Sequence, residues 1–246
     1  MNAPSSRKFL KAIFYLILTK APLIVITCFV NTYIQKNKII KFQNIESKHR
    51  EKNFSTDWFT GNIPYWMIIF NKFQMLNKPL SCLEIGSWEG RSSLFILDSL
   101  PNSKLTCVDT WEGADEHKGS KILNTIEQNF DANLSDYRDR LTKYKGTSFS
   151  FFDNLESHTK FDLIYIDGSH YIYDVMVDAL KSFAHLNVGG VMIFDDFFWG
   201  YYDDPISNPA SAINTFISLK KRYLQVEMVY SQIIISRIAD ENRINH

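Results

Sequence analysis

Three carboxylates and one histidine stand where chemistry could be done. Asp167 closes the apolar run FDLIYID, Asp195 and Asp196 close VMIFDD, and His170 follows Asp167 within IDGSH. Acids that end two parallel strands of one sheet emerge at the same C-terminal edge. Clustered carboxylates repel one another unless protons or a cation neutralise them, and oxygen ligands with room for water suit Mg²⁺. Asp167, Asp195 and Asp196 are therefore candidate metal ligands. Histidine titrates near neutral pH, so His170 is the candidate base for a hydroxyl whose acidity a metal has raised.

A second constellation lies in CLEIGSWEGRSSLFIL, residues 82–97, where one apolar run ends and another begins. Glu84 sits at the end of the first run. Gly86 and Gly90 let the turn pass close to a ligand before a helix N-terminus presents free N–H groups. The spacing is G-x-x-x-G, so it is neither a dinucleotide fingerprint nor a phosphate loop. Asp109 ends the next run, KLTCVD, where a carboxylate can accept both hydroxyls of a ribose. A sugar-bearing cofactor is the ligand this pair predicts.

The elements that must position these residues follow from alternation. From residue 80 onward short apolar runs alternate with segments of helical spacing, the pattern of a sheet covered by helices on both faces. LSCLEIG, KLTCVDT, a short piece of LTKYKGTS, FDLIYIDG and VMIFDD are the expected parallel strands. LQVEMVY and SQIIISRI form an expected antiparallel closing pair, making seven. Helices are expected near Ser92–Leu100, Lys121–Asn133, Tyr173–Leu186 and Ala210–Tyr223. Gly189 and Gly190 are expected to end the third of these. The fold class is α/β, doubly wound and mainly parallel.

Composition narrows the ligand class. With 246 residues, 45% of them hydrophobic, the chain can bury a full core, and equal numbers of basic and acidic residues, 27 each, leave no basic field that would point to nucleic acid. Cys28, Cys82 and Cys107 have no metal spacing and read as buried, reduced thiols. Residues 9–34 hold two apolar runs divided by Thr19, Lys20 and Pro22. They are long enough to span a bilayer, but Lys20 makes insertion marginal, so a span, an interfacial helix and a helix packed on protein stay open. A span would leave the rest of the chain on the cytoplasmic side, because Lys36, Lys38, Lys41, Lys48 and Arg50 outnumber Arg7, Lys8 and Lys11.

EIGSWEGRSS, VDTWEG, the KGTS turn, IDGSHYIYD and VGGVMIFDDFFW, as an ordered set, resemble the class I S-adenosylmethionine-dependent methyltransferases. Within them the set is similar to the metal-dependent sugar O-methyltransferases of macrolide biosynthesis. The resemblance implies cofactor contacts at Glu84, Gly86, Ser87 and Gly90, ribose held by Asp109, and adenine beside Thr110, Trp111, Thr147 and Ser148. It also implies Mg²⁺ on Asp167, Asp195 and Asp196, and a lid in STDWFTGNIPYW, with Trp58 and Phe59 as candidates. Residues 1–50 are then an N-terminal hydrophobic segment and basic linker, and 51–246 the methyltransferase domain. The acceptor is a small molecule or glycan-linked hydroxyl, a membrane contact through residues 9–34 and an oligomer stay open as partners, and the compartment is the cytoplasm. Two readings compete: a nicotinamide-dependent oxidoreductase on a similar sheet, and a membrane-tethered, non-catalytic module that keeps the cofactor fold. The aromatic run Phe197–Tyr202 is open between an acceptor wall and ordinary core, and His49, His117, His158, His185 and His246 are expected at the surface.

Overall fold

A computed structural model describes residues 52–241 together with positions 10, 13, 26, 27, 30, 31 and 33. Cys28, His49, His246 and most of the apolar segment 9–34 lie outside the described residues. Among the described residues no helix is long and apolar enough to cross a membrane. Ile13 packs against the core and Asn31 Nδ2 donates to the Val229 carbonyl at 2.9 Å.

The described chain runs α1 (Ile63–Lys72), β1 (Ser81–Ile85), α2 (Arg91–Ser99), β2 (Lys104–Asp109), α3 (Ile126–Asn133), β3 (Leu141–Lys145), α4 (Ser148–Asn154), β4 (Phe161–Ile166), α5 (Ile172–His185), β5 (Leu186–Phe194), α6 (Pro209–Lys220), β6 (Leu224–Val229) and β7 (Ile233–Arg237). The seven strands lie in the order β3-β2-β1-β4-β5-β7-β6. The first five are parallel, and β7 runs antiparallel to both β5 and β6. This is the doubly wound sheet with a reversed last strand that the alternation predicts.

Each strand alternates its side chains between two apolar layers. Leu83, Ile164, Ile166, Met192 and Phe194 meet Val175, Ala179 and Phe183 of α5 and Ile213 and Phe216 of α6. On the opposite face Cys82, Leu105, Cys107, Leu163 and Ile193 meet Trp66 and Phe70 of α1, Phe95 of α2 and Phe130 of α3. Both Cys82 and Cys107 are buried free thiols.

Three local expectations change. The segment 121–133 begins as a 3₁₀ turn over Lys121–Asn124 before α3 starts at Ile126. α1 and α4 are helices that were not expected; Pro64 in the first turn of α1 starts one within the suspected lid segment, and Thr147 of the KGTS turn caps the other. Gly189 and Gly190 do not terminate α5. The helix stops at His185, the chain passes directly into β5, and the two glycines sit where the β4–β5 register shifts. A Cβ on Gly190 would lie 2.9 Å from the Asn187 carbonyl oxygen, so the irregularity needs the missing side chain.

Candidate active site

Asp167 and Asp195 sit one residue beyond the ends of β4 and β5. Asp167 N–H donates to Ile85 O at 2.8 Å and Asp195 N–H to Ile166 O at 3.0 Å, so the sheet ladder fixes both backbones. The Tyr165 hydroxyl lies 2.9 Å from Asp167 Oδ2 and also contacts Asp195 Oδ2. Gln232 Nε2 donates to Asp195 Oδ2 at 2.7 Å, and the Asp196 N–H occupies Asp195 Oδ1 at 2.7 Å. A phenol has a single proton to give. One of the two Tyr165 contacts is therefore supplied by a proton on a carboxylate. Gln232 already favours the charged form of Asp195, so the extra proton belongs to Asp167. The electrostatics agree: burial, then the charges of Asp195 and Asp196, push the Asp167 carboxyl well above its usual range. Burial and Asp196 raise Asp195 to about 7.

His170 stands between two more acids. Its Nδ1 is 2.7 Å from Glu116 Oε1 and its Nε2 is 2.7 Å from Asp196 Oδ2. Burial opposes a charge on the ring, but these two carboxylates outweigh it and raise the histidine well above its ordinary value. The same histidine holds the Glu116 carboxyl below its usual range against the burial that would raise it. In this arrangement His170 is an imidazolium, hydrogen-bonded to Glu116 through Nδ1 and ion-paired with Asp196 at Nε2, which has no well-aligned acceptor. Trp199 packs on it with ring centroids 4.9 Å apart.

These groups fit a divalent cation. Ligand atoms of Asp167, His170 and Asp196 all lie within 4.8 Å of one another, and the crowded carboxylates already recruit a proton and a histidine charge for neutralisation. Of the trio read from sequence, Asp167 and Asp196 face this space, while Asp195 is turned onto Tyr165 and Gln232 beside it. Trp66 Nε1 donates to Gln232 Oε1 at 2.7 Å and so fixes the amide that holds Asp195.

The acids line a cavity of about 780 Å³, a volume typical of small-molecule sites. Gly86, Ser87, Asp109, Thr110, Thr147 and Ser148 line the same cavity. Asp109 Oδ2 accepts the N–H groups of Ser87 at 2.7 Å and Trp88 at 2.8 Å, and Oδ1 accepts that of Trp111 at 2.7 Å. A carboxylate offers about four acceptor positions, so roughly one remains for a hydroxyl. Burial nonetheless raises Asp109 against these donors.

Glu84, Gly90 and Trp111 do not line the cavity. Glu84 is fully buried beneath the turn and accepts the hydroxyls of Ser92 and Ser93 in the first turn of α2. Gly90 takes φ +81° as the helix cap, and a Cβ there would press on Leu134 at 2.9 Å and Phe130 at 3.0 Å. Trp111 packs on Phe130 at 4.9 Å and donates its indole N–H to Trp88 O at 2.8 Å. These three shape the turn from behind.

Other lining residues come from segments the motifs did not mark. Trp58 and Phe59 of the suspected lid do line the cavity. The rings of Trp58, Trp88 and His117 form a cluster, with centroids 5.4, 4.6 and 5.9 Å apart. His117, expected at the surface, is buried instead because the loop after β2 folds over the cavity. Its Nδ1 accepts the Ala114 N–H at 3.1 Å and burial lowers its pKa, so it is a neutral ring with its proton on Nε2. Of the aromatic run, Phe197 belongs to the core and Trp199 to the cavity wall. Glu116 and His117 follow Asp109 in a polar loop, the signal that could have found them. Asp178 carried a clearer one, an acid on the buried face of α5.

Buried Glu89 ties the lid segment to the domain. It accepts Ser55 N–H at 2.7 Å, Ser55 Oγ at 2.8 Å and Asn129 Nδ2 at 2.7 Å. Glu89→Ala leaves those donors unmatched and should cost about 2–4 kcal/mol in a thermal melt, with faster proteolysis near residue 55. Glu89→Gln, which keeps an acceptor, should recover part of the loss. A melt unchanged by Glu89→Ala would show that the lid is held by something else.

Residues 83–197 match a family described as a methyltransferase domain. Solved structures share the fold: an O-methyltransferase of Bacillus cereus in complex with SAH, 14% identical, with a TM-score of 0.53 over 88% of this chain and 100% of that one. TomG of Streptomyces achromogenes, involved in tomaymycin synthesis and solved with SAM, is 14% identical at a TM-score of 0.55 over 87% and 97%. Residues 83–197 thus match a methyltransferase domain, and the described chain shares its fold with O-methyltransferases solved with SAM or SAH. MycE of the mycinamycin biosynthetic pathway, solved with Mg and SAH, is 19% identical at a TM-score of 0.54 over 79% of this chain and 53% of that one. An uncharacterized protein of Acanthamoeba polyphaga mimivirus is 27% identical over 118 residues, 48% of this chain and 52% of that protein, so the chain spans about half the length of the curated relative it matches.

Proposed function

We propose that the protein is an O-methyltransferase that moves the methyl group of S-adenosylmethionine to a hydroxyl of a sugar or glycan-linked small molecule. One observation carries this reading: Asp167, Asp196 and His170 share a single cavity with the Gly86 turn and Asp109. Gly86, Ser87, Asp109, Thr110, Thr147 and Ser148 hold the cofactor. Mg²⁺ suits Asp167 and Asp196, with Asp195 joining only by leaving Tyr165 and Gln232, and it would raise the acidity of a hydroxyl bound to it. Trp199 and the Trp58 cluster offer faces on which a sugar ring can lie. A cation held by the acids would take over the neutralising charge of the imidazolium and let its Nε2 proton pass to solvent; the neutral His170 would then accept the hydroxyl proton at Nε2, while Glu116 holds the Nδ1–H. Aligning donor and acceptor in one closed space supplies much of the acceleration. MycE, a protein of the same fold, is known with Mg, SAH and mycinamycin VI together, so such a fold can bring a metal, the spent cofactor and a small molecule together.

The proposed compartment is the cytoplasm, where the buried thiols Cys82 and Cys107 stay reduced, and the apolar segment 9–34 is the candidate for attachment to a membrane. Carbonate extraction that releases the whole protein would remove the attachment.

The experiment is incubation with labelled S-adenosylmethionine and extracts of cellular glycans and metabolites, with and without chelator. Label should pass to a hydroxyl-bearing product and the transfer should stop on chelation. Failure to bind S-adenosylhomocysteine in a calorimeter would end this reading, and NADH binding by fluorescence would favour an oxidoreductase.

A further inference from the structure

Among the described residues, ten acids line the cavity against two bases, Arg91 and Lys118. Neither base is spare. Arg91 Nε lies 3.0 Å from Asp57 Oδ1 and donates to Thr60 Oγ1 at 3.1 Å, while the exposed Lys118 Nζ is 2.7 Å from Asp115 Oδ1. Several of the acids are already engaged: Asp109 in the glycine turn, Asp167, Asp195 and Asp196 in and beside the metal space, and Glu89 under the lid segment. Asp115 and Glu116 of the loop after β2, with Asp174 in the first turn of α5, gather next to His170.

Tyr202 marks where these three meet. Its hydroxyl donates to Asp115 Oδ2 at 3.1 Å, and burial, then that hydrogen bond, then the charges of Asp115, Glu116 and Asp174 raise the phenol. Asp174 Oδ2 accepts Ser169 Oγ at 2.7 Å. The Glu116 side chain is 6% exposed; His170 Nδ1 takes Oε1, and among the described residues Oε2 has no hydrogen-bond partner. A buried carboxylate oxygen without a donor is costly. Aromatic rings flank the group: Tyr171 meets Tyr202 edge to face at 5.5 Å, and Trp199, whose indole N–H is also buried without a partner, packs on His170. Walls of low dielectric carrying one sign of charge concentrate a field that draws cations and repels anions. Resting on the methyltransferase reading above, we infer that the acceptor carries a protonated amino group near its reacting hydroxyl, as an amino sugar does, and that Asp115, Glu116 and Asp174 select it over neutral and anionic sugars. An ammonium brings donors to carboxylates and is attracted to aromatic faces, and the Trp199 indole N–H is left for a sugar oxygen. A sugar phosphate or uronic acid would add an anion to a mouth already acidic.

The test uses the whole protein with Mg²⁺, labelled S-adenosylmethionine and the extract of glycans and metabolites. Glucosamine added to that assay should inhibit label transfer at a concentration at least about tenfold below that needed by N-acetylglucosamine or glucuronate. Labelled product should be retained by a cation exchanger, and acetylating the amines of the extract beforehand should remove most of the transfer. Asp115→Asn and Asp174→Asn, made together, keep the side-chain sizes and leave Ser169 an acceptor. That variant should need about tenfold more extract for half-maximal transfer, with the maximal rate and S-adenosylhomocysteine affinity each within about threefold of the unaltered protein. Thermal melts establish that it folds. The inference falls if glucosamine inhibits no better than its N-acetyl form, if the labelled product is neutral or anionic, or if the double variant alters the Mg²⁺ response and not the demand for acceptor. Absence of label on any hydroxyl with the unaltered protein overturns instead the methyltransferase reading on which the inference stands.

Discussion

Asp167→Asn should abolish Mg²⁺ response and methyl transfer while leaving the metal-free protein folded and about as stable as before. The proton count at Tyr165 makes this expectation specific. Asp167 already holds a proton in the metal-free arrangement, so asparagine reproduces its shape and lack of charge, and its amide can donate to the Tyr165 oxygen as the protonated acid does. The loss appears where a negative ligand is required. Methyl transfer should fall by about 10²–10⁴-fold, the range for losing electrostatic support or proton transfer at a reacting centre. Thermal melts with and without Mg²⁺ read the other half: the cation should raise the melting temperature of the unaltered protein and leave that of the variant within about a degree, since only a bound ligand shifts stability. A variant that keeps the Mg²⁺ shift would show that Asp167 is no ligand.

Gly86→Ala should destroy the cofactor turn. A Cβ at this position would sit 2.0 Å from the Asp167 carbonyl oxygen and 2.7 Å from Gly168 Cα, on a backbone with φ +84°. Neither side can yield easily. Gly86 N–H is bonded to Val108 O at 2.9 Å and Asp167 N–H to Ile85 O at 2.8 Å, so both segments are tied into the sheet. Close approach of two backbones, rather than a ligand alone, demands glycine here. We expect a loss of about 3 kcal/mol or more, a fall in melting temperature of roughly 6–12 °C, and no measurable S-adenosylhomocysteine binding. Gly119→Ala separates clash from conformation, because Gly119 has φ +78° with nothing within 4 Å. It should cost only about 1–2 kcal/mol, the penalty of a left-handed backbone. Similar melts for the two variants would mean that the β1–β4 ends are looser than drawn.

Reading the chain by period works well for the strands that carry the acids. FDLIYID and VMIFDD are short apolar runs ended by charge, and such runs announce both the strand and its exit from the core. Asp167, Asp195, Asp196 and Asp109 accordingly lie at one sheet edge. Glycine signals are weaker. Gly86 and Gly90 mark a true turn, but Gly189 and Gly190 serve a register shift inside β5, and glycine alone does not distinguish the two uses.

What the amino-acid order determined by itself is the succession of elements, the mainly parallel sheet and the residues at its C-terminal edge, because hydrophobic period and chain ends are local properties. Tertiary structure alone decided what each of those residues touches. His170 meets Glu116 across 54 positions of chain and Asp195 meets Gln232 across 37. Glu84 turns under α2, and Asp109 turns back onto the N–H groups of the glycine turn. Which donor satisfies a buried carboxylate depends on which strands end up adjacent and which loop folds over them. That choice is made by packing and desolvation summed over the whole domain, and no spacing within one segment records it.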